Sequence, residues 1–470
     1  MKKAIRCIAF LIITFLVLIR TYDILKWKDT SGDYLSSTTQ LYATKDNLMD
    51  VIFLGSSHCY CTISPDVLWG NYGIAGFNMT TSGQDKNTTY HLLKEALKTQ
   101  SPKVVCVEVW GMTSDEHGVQ GNIYRNMLAM KLSKNSIDLV ESYIDEDEQK
   151  DYILRWPIVH TRYKELEKYD FVTMEYSEYG RGSVPTFHIG KSQFSSDAVA
   201  CEEIGELSDT NRDWLESLYE LSMEEDFELV LFLAPTTLTV EEQMQMNAAA
   251  AFADENGIPF FDFNKLRYAV DLDYTRDFID GTHTNARGAE KISDYLGAFF
   301  SKQYALDDHR GEDEYDQWEK SYNYYEHVAF ETKLKESATL EEYIARLKKK
   351  QDITYIFSFE GTYDQSGLDM ERIAKSLGLT KEQYEVGGTY ISVNGELEFV
   401  MDNQSEEVAI YEMNEYDAFK IQNMKLVDED ATNKDDIMLN RESMGTAYNG
   451  LCFVVYDNVR KTIIDKRGYY

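Results

Sequence analysis

The chain has 470 residues, 43% of them hydrophobic and 13% aromatic, enough for more than one sizeable core. Its 81 acidic residues outnumber 47 basic ones, leaving a formal charge of -34. That balance excludes a nucleic-acid binder, which needs clustered Lys and Arg, and it opposes lying flat on an anionic membrane.

The N-terminus reads MKKAIRCIAFLIITFLVLIR, with Lys2, Lys3 and Arg6 before an apolar run from Cys7 to Ile19. About 13 apolar residues cover roughly 20 Å as a helix, a thin span that snorkelling Lys and Arg can lengthen. No Ala-x-Ala-like cleavage site follows, so residues 1–22 are expected to be an uncleaved, single-pass signal-anchor with the rest of the chain outside the cytoplasmic membrane.

After a polar stem, strands and helices alternate. VIFLG (51–55) and residues 73–78 are expected as strands, and residues 88–99 as a helix capped by Asn87. KVVCVEVW (103–110), FELVLFLAP (227–235) and IPFFDF (258–263) follow as strands, the first of them fully apolar as in a buried parallel sheet. Helices are expected over 240–255 and 286–300. Such alternation predicts a three-layer α/β domain over residues 23–302, interrupted at 112–226 by an acidic, mostly helical insertion. Residues 303–350 read as a charged helical linker. Residues 351–470 read as a β-rich α+β domain of short strands and Gly/Asn turns.

The chemistry-bearing residues cluster at two distant places. Behind the first strand stand Gly55, Ser56, Ser57, His58, Cys59 and Cys61; far downstream stands FIDGTHTNARG, with Asp280, His283, Asn285 and Gly288. A nucleophilic serine needs a base within hydrogen-bond reach and a third group to orient that base. An acid three residues before a histidine, just ahead of a helix, allows one loop to present both at the C-terminal edge of the sheet. Ser56 reads as turn chemistry, and His58 as a packed or solvated ring. Cys59 is the least favoured nucleophile. Cys59-x-Cys61 is too small a set for a closed zinc site, so neither metal nor other cofactor is expected. Tyr322, Tyr324, Tyr325, Tyr384 and Tyr390 could stack sugar rings, but tyrosines in such stretches are more often core or interface residues.

These motifs resemble the SGNH (GDSL) hydrolase superfamily, whose flavodoxin-like fold carries its nucleophile at the end of the first strand. Gly55-Ser56-Ser57 matches the first block and implies Ser57 as nucleophile. Asn78-Met79-Thr80-Thr81-Ser82-Gly83 matches the second, implying Gly83 as an oxyanion donor, with Asn78 a possible side-chain donor. Asp280 and His283 match the last block. The third block departs: Glu108-Val109-Trp110 stands where the family carries an oxyanion asparagine. The nearest likeness is to surface-polymer acylation proteins, those of D-alanyl-lipoteichoic-acid transfer and alginate O-acetylation. It implies an acylated polysaccharide or cell-wall polymer as substrate, and a membrane acyl-donor protein as partner. GLDMERIAKSLGL, GGTYISVNG and GLCFVVYDNVRKTIID resemble an interleukin-like EMT-inducer (GG-lectin-type) domain, which implies a carbohydrate-binding accessory module. The expected function is a membrane-anchored serine esterase or O-acyltransferase; the alternative is a glycan-binding or assembly protein that kept the fold without turnover.

Overall fold

The computed structural model describes residues 2–28, 36–114, 120–171, 179–190, 192, 196–359, 369–402, 407–423, 435–446 and 451–469. The chain divides into two compact units, Met1–Tyr322 and Asn323–Tyr470.

The first unit opens with helix α1 (Lys2–Leu25), then α2 (Ser36–Ala43). Its sheet is β1 (Val51–Gly55), β2 (Gly76–Thr80), β3 (Val104–Glu108), β4 (Glu228–Leu233) and β5 (Phe260–Asp262). All pairings are parallel, in the order β2-β1-β3-β4-β5, which is the flavodoxin-like doubly wound order. Between these strands run α3 (Ser57–Thr62), α4 (Pro65–Tyr72) and α5 (Lys86–Ala96), then the insertion. The insertion carries α6 (Gln120–Ala129), α7 (Lys134–Tyr143), α8 (Glu146–Leu154), α9 (Trp156–Val159), α10 (Ser196–Ala200) and α11 (Asp209–Glu225). The unit then adds α12 (Val240–Glu255) and α13 (Ala286–Gln303).

The alternation of side chains along each strand builds two cores. Ile52 and Leu54 pack with Leu92, Leu93, Leu215, Leu218 and Met246 on one face. Val51 and Phe53 pack with Ile292, Leu296 and Phe300 on the other. The helix expected over 88–99 instead begins at Lys86, because Asp85 rather than Asn87 caps it by accepting from Thr88 N–H. The second strand begins at Gly76, not at residue 73. Gly73 is the left-handed C-cap of α4, a helix started by Ser64 and Pro65.

α1 is long and apolar enough to cross a membrane, with mean hydropathy 2.2 over its apolar window and no part of that window buried in the protein; a signal sequence would look the same. Its 24 residues reach about 36 Å at helical rise.

α14 (Asp316–Lys335) contains the division between the units. Of the stretch 303–350, Tyr315 and Trp318 enter a core of the first unit. Phe330, Leu334, Tyr343 and Leu347 enter that of the second.

The second unit continues with α15 (Leu340–Lys349), β6 (Ile353–Phe359), α16 (Met370–Leu377), α17 (Lys381–Val386), β7 (Gly388–Val393), β8 (Glu396–Met401), β9 (Val408–Glu412), β10 (Ala418–Asn423), β11 (Asp435–Leu439), β12 (Glu442–Thr446), β13 (Leu451–Asp457) and β14 (Thr462–Tyr469). Two antiparallel sheets form, ordered β14-β13-β6-β7-β8 and β12-β11-β10-β9. α15 and α16 pack on one face of the first sheet around Tyr355, Phe357 and Phe453. The second sheet packs on its other face through Phe419, Ile421 and Ile437. Tyr390, considered as a sugar platform, is a core residue that stacks on Phe357, and Tyr325 is also buried. In the second unit, His327 of α14 and Asp457 at the end of β13 are both buried, with His327 Nδ1 2.9 Å from Asp457 Oδ1.

Candidate active site

The C-terminal end of β1 makes a sharp entry into α3. Gly55 sits at φ +152, and a Cβ there would lie 2.6 Å from Cβ of Glu108. Only glycine fits that backbone and that approach. Ser56 is the N-cap of α3, accepting from His58 N–H, which is the turn role its type favours. Ser57 therefore opens the helix at the edge of the parallel sheet, where doubly wound folds place their ligands.

The distant loop is folded back on itself. Phe278 bridges Thr284, and Ile279 N–H donates to His283 O at 2.9 Å. Asn285 caps α13, accepting from Arg287 N–H and Gly288 N–H, while its amide donates to Arg276 O. Thr284 fastens the loop to α3: its hydroxyl donates to Cys61 O at 2.9 Å and lies 3.0 Å from the Thr62 hydroxyl.

This folding brings together three of the singled-out side chains. Ser57 Oγ lies 2.8 Å from His283 Nε2. His283 Nδ1 lies 3.0 Å from Asp280 Oδ2 and 3.1 Å from Oδ1. Asp280 Oδ1 also accepts from the backbone N–H of Thr282 at 2.8 Å and of His283 at 2.9 Å. Partial burial alone would raise the Asp280 pKa; these N–H groups and the imidazole outweigh it and hold the carboxyl below its ordinary value. The Thr282 hydroxyl, 3.0 Å from Nδ1 and 3.1 Å from Asp280 Oδ1, is a further partner of both groups.

Asn78 is placed differently. It is fully buried, and one N–H of its amide donates to Ile63 O at 2.9 Å, which ties β2 to the chain leaving α3. Gly83 sits in a left-handed turn (φ +61) three residues beyond β2, whose last residue Thr80 pairs with Gly55.

Beside the serine turn lie groups whose roles local sequence does not show. Glu108, at the end of β3, is buried, and burial pushes its pKa up to about 8. Its Oε1 accepts from Trp110 N–H at 2.7 Å, and the Ser56 hydroxyl lies 3.5 Å from Oε2. The carboxyl thus ties the exit of β3 to the turn that carries Ser57. Trp110 packs on His58 at a tilt of 32° with centroids 4.4 Å apart, and His58 and His283 form a T-shaped pair at 4.8 Å. Burial, then the neighbouring His283, lowers the His58 pKa to about 3, so His58 is a neutral packed ring. Cys59 is buried, and that burial raises its thiol well above the ordinary value, which removes the thiolate a cysteine nucleophile needs.

Residues 183–190 of the insertion run past the site as a strap. Val184 N–H donates to Tyr60 O at 3.4 Å, Ala286 N–H donates to Thr186 O at 2.8 Å, and Gly190 N–H donates to Phe278 O at 2.9 Å. At Gly190 a Cβ would fall 1.5 Å from Ile279 O, so the strap and the loop that carries Asp280 and His283 touch backbone to backbone.

No family model matches the chain, and no curated protein matches it. Among solved structures the chain is similar to a candidate acylhydrolase from Bacteroides fragilis, at 15% identity and a TM-score of 0.29, over 59% of this chain and 99% of that one.

Proposed function

We propose that the chain is a membrane-anchored serine esterase or O-acyltransferase whose nucleophile is Ser57, with His283 as general base and Asp280 as its orienting acid. One observation carries this reading: Ser57 Oγ, the His283 ring and the Asp280 carboxylate stand in hydrogen-bond sequence at 2.8 and 3.0 Å. A serine so placed gives up its proton to Nε2 as Oγ attacks an ester carbonyl. The C–O bond to the leaving alcohol breaks, His283 returns the proton to that alcohol, and an acyl-Ser57 ester remains. Water or a sugar hydroxyl then repeats the steps in reverse through the same base. Asp280 stays ionised throughout and stabilises the imidazolium.

Backbone N–H groups of Ser57, at the first turn of α3, and of Gly83 are the donors for the developing oxyanion. The N–H groups of a first helical turn have no intrahelical acceptor. Choice between water and sugar depends on how the strap and the loop shape the acceptor side. The substrate we infer is an acylated surface or exported glycan, reached from outside the membrane, with Lys2, Lys3 and Arg6 on the cytoplasmic side. A membrane acyl-donor protein would feed the transfer reaction, and the β-rich second unit would bind carbohydrate.

Release of acetate from acetylated xylan, alginate or a model acetyl ester by the full-length protein tests the reading. The wild type should release acetate and Ser57→Ala should not. Equal release by both would remove Ser57 as nucleophile.

A further inference from the structure

The membrane-exit end of α1 is gripped by the insertion. Arg162 is buried and donates from Nη1 to the carbonyls of Leu25 at 3.0 Å and Lys26 at 2.8 Å. Its Nη2 pairs with both oxygens of buried Asp170, at 3.0 and 3.2 Å. Tyr22 meets Trp156 with centroids 5.8 Å apart, and the Arg162 guanidinium lies 5.0 Å from the Trp27 ring. Arg20, the first charge after the apolar run, donates to Phe171 O at 3.0 Å. The turn Lys168–Phe171 is therefore fixed beside the point where the apolar surface of α1 stops.

The rings around that point face outward. Phe171 is 54% exposed, Tyr163 63% and Tyr169 39%. The local charge also departs from the rest of the chain. Residues 160–171 hold three basic side chains (Arg162, Lys164, Lys168) against three acidic ones, so the stretch is neutral within a protein of net charge -34, and Arg162 and Asp170 pair in the interior. Aromatic rings with adjacent lysines are the residues that settle at a bilayer's headgroup layer, where a ring has an apolar body and a wet edge and lysine meets phosphate.

We propose that residues 160–171 form a membrane-seating surface. Phe171, Tyr169 and Tyr163 enter the headgroup layer of the bilayer that α1 crosses, while Lys164 and Lys168 meet lipid phosphates. The proposal rests on α1 spanning that bilayer. The occupant is lipid and not protein because the surface is continuous with the end of a span whose own sides face lipid. Seating limits the swing of the catalytic unit about its anchor, as suits an enzyme working on a polymer close to the membrane.

The test uses the full-length protein in nanodiscs of phosphatidylcholine and phosphatidylglycerol carrying a small fraction of diazirine-bearing phospholipid. Irradiation and peptide mass spectrometry then map lipid adducts. Adducts are expected in α1 and also in residues 160–171. The double variant Tyr163→Ser, Phe171→Ser, which changes only exposed rings, should cut the second set at least about threefold and leave the first unchanged. Adducts in α1 alone, or adducts at 160–171 that the double variant does not reduce, would overturn the seating surface while leaving the anchor intact. No adducts in α1, with protein lost from the discs, would overturn the span and the proposal with it.

Discussion

Trp110 packs on the His58 ring with centroids 4.4 Å apart, and His58 and His283 meet in a T-shaped contact at 4.8 Å, so the His283 ring is packed by a second, neutral histidine. Its folded pKa of about 3 lies below the ordinary value of 6.5. As pH falls below about 6.5 the unfolded chain takes a proton that the folded chain refuses. Stability is therefore lost on acidification, by at most about 1.4 kcal/mol per pH unit. His58→Phe, which keeps a ring against Trp110, should show a shallower fall in melting temperature between pH 7 and pH 4 than the wild type.

Glu108 titrates with the opposite sign. Its folded pKa of about 8 lies above the ordinary 4.5, so the folded state holds a proton that the unfolded state releases. Stability from this group is full below about pH 4.5 and falls as pH rises toward 8. Glu108→Gln stays neutral and keeps an acceptor for Trp110 N–H. Melting curves of this variant should be flatter than wild type between pH 5 and pH 8, and Glu108→Ala should destabilise at every pH by leaving that N–H without its acceptor.

On the proposed mechanism Ser57, His283 and Asp280 act as one device, so their losses should not add. Ser57→Ala and His283→Ala should each cost at least about 10⁴-fold in kcat on an activated ester, and the double variant should cost no more than either. Asp280→Asn should cost up to about 10⁴-fold, since the amide no longer favours the tautomer that leaves Nε2 free to accept. Steady-state kinetics on the three single variants and the double variant decide this.

Much of this arrangement is legible in the sequence, and the exceptions have physical causes. The apolar runs at 51–55, 103–110 and 227–235 mark buried strands because parallel strands are covered on both faces. α12 spans the expected 240–255, with Thr239 and Glu242 forming a capping box. Ser64-Pro65 is an equally direct helix start, and neglecting it shifts the second strand to residue 73. Neither Glu108 nor Trp110 has a local signal: their partners Ser56 and His58 lie about 50 residues away and meet them only through strand pairing. Asn78 matches a motif position, and its amide also donates to Ile63 O, a contact that sequence spacing does not encode.

The strap depends on glycine at one contact. Gly190→Ala would drive a methyl group into Ile279 O, next to Asp280. We expect at least about a tenfold loss of kcat/KM on a polymeric substrate with the melting temperature changed by only a few degrees, because the strap is surface chain while the loop positions the triad. Assay of this variant beside Ile189→Ala, an exposed neighbour expected to keep near-wild-type activity, separates displacement of the loop from loss of surface contact.

The pairing of Ser57 with His283 is the centre of the account, and intact-mass analysis of the full-length protein after exposure to a fluorophosphonate tests it most directly. One covalent adduct is expected, mapped by peptide sequencing to Ser57, and absent from both Ser57→Ala and His283→Ala. An adduct on another residue, or an adduct that persists when His283 is removed, would contradict it.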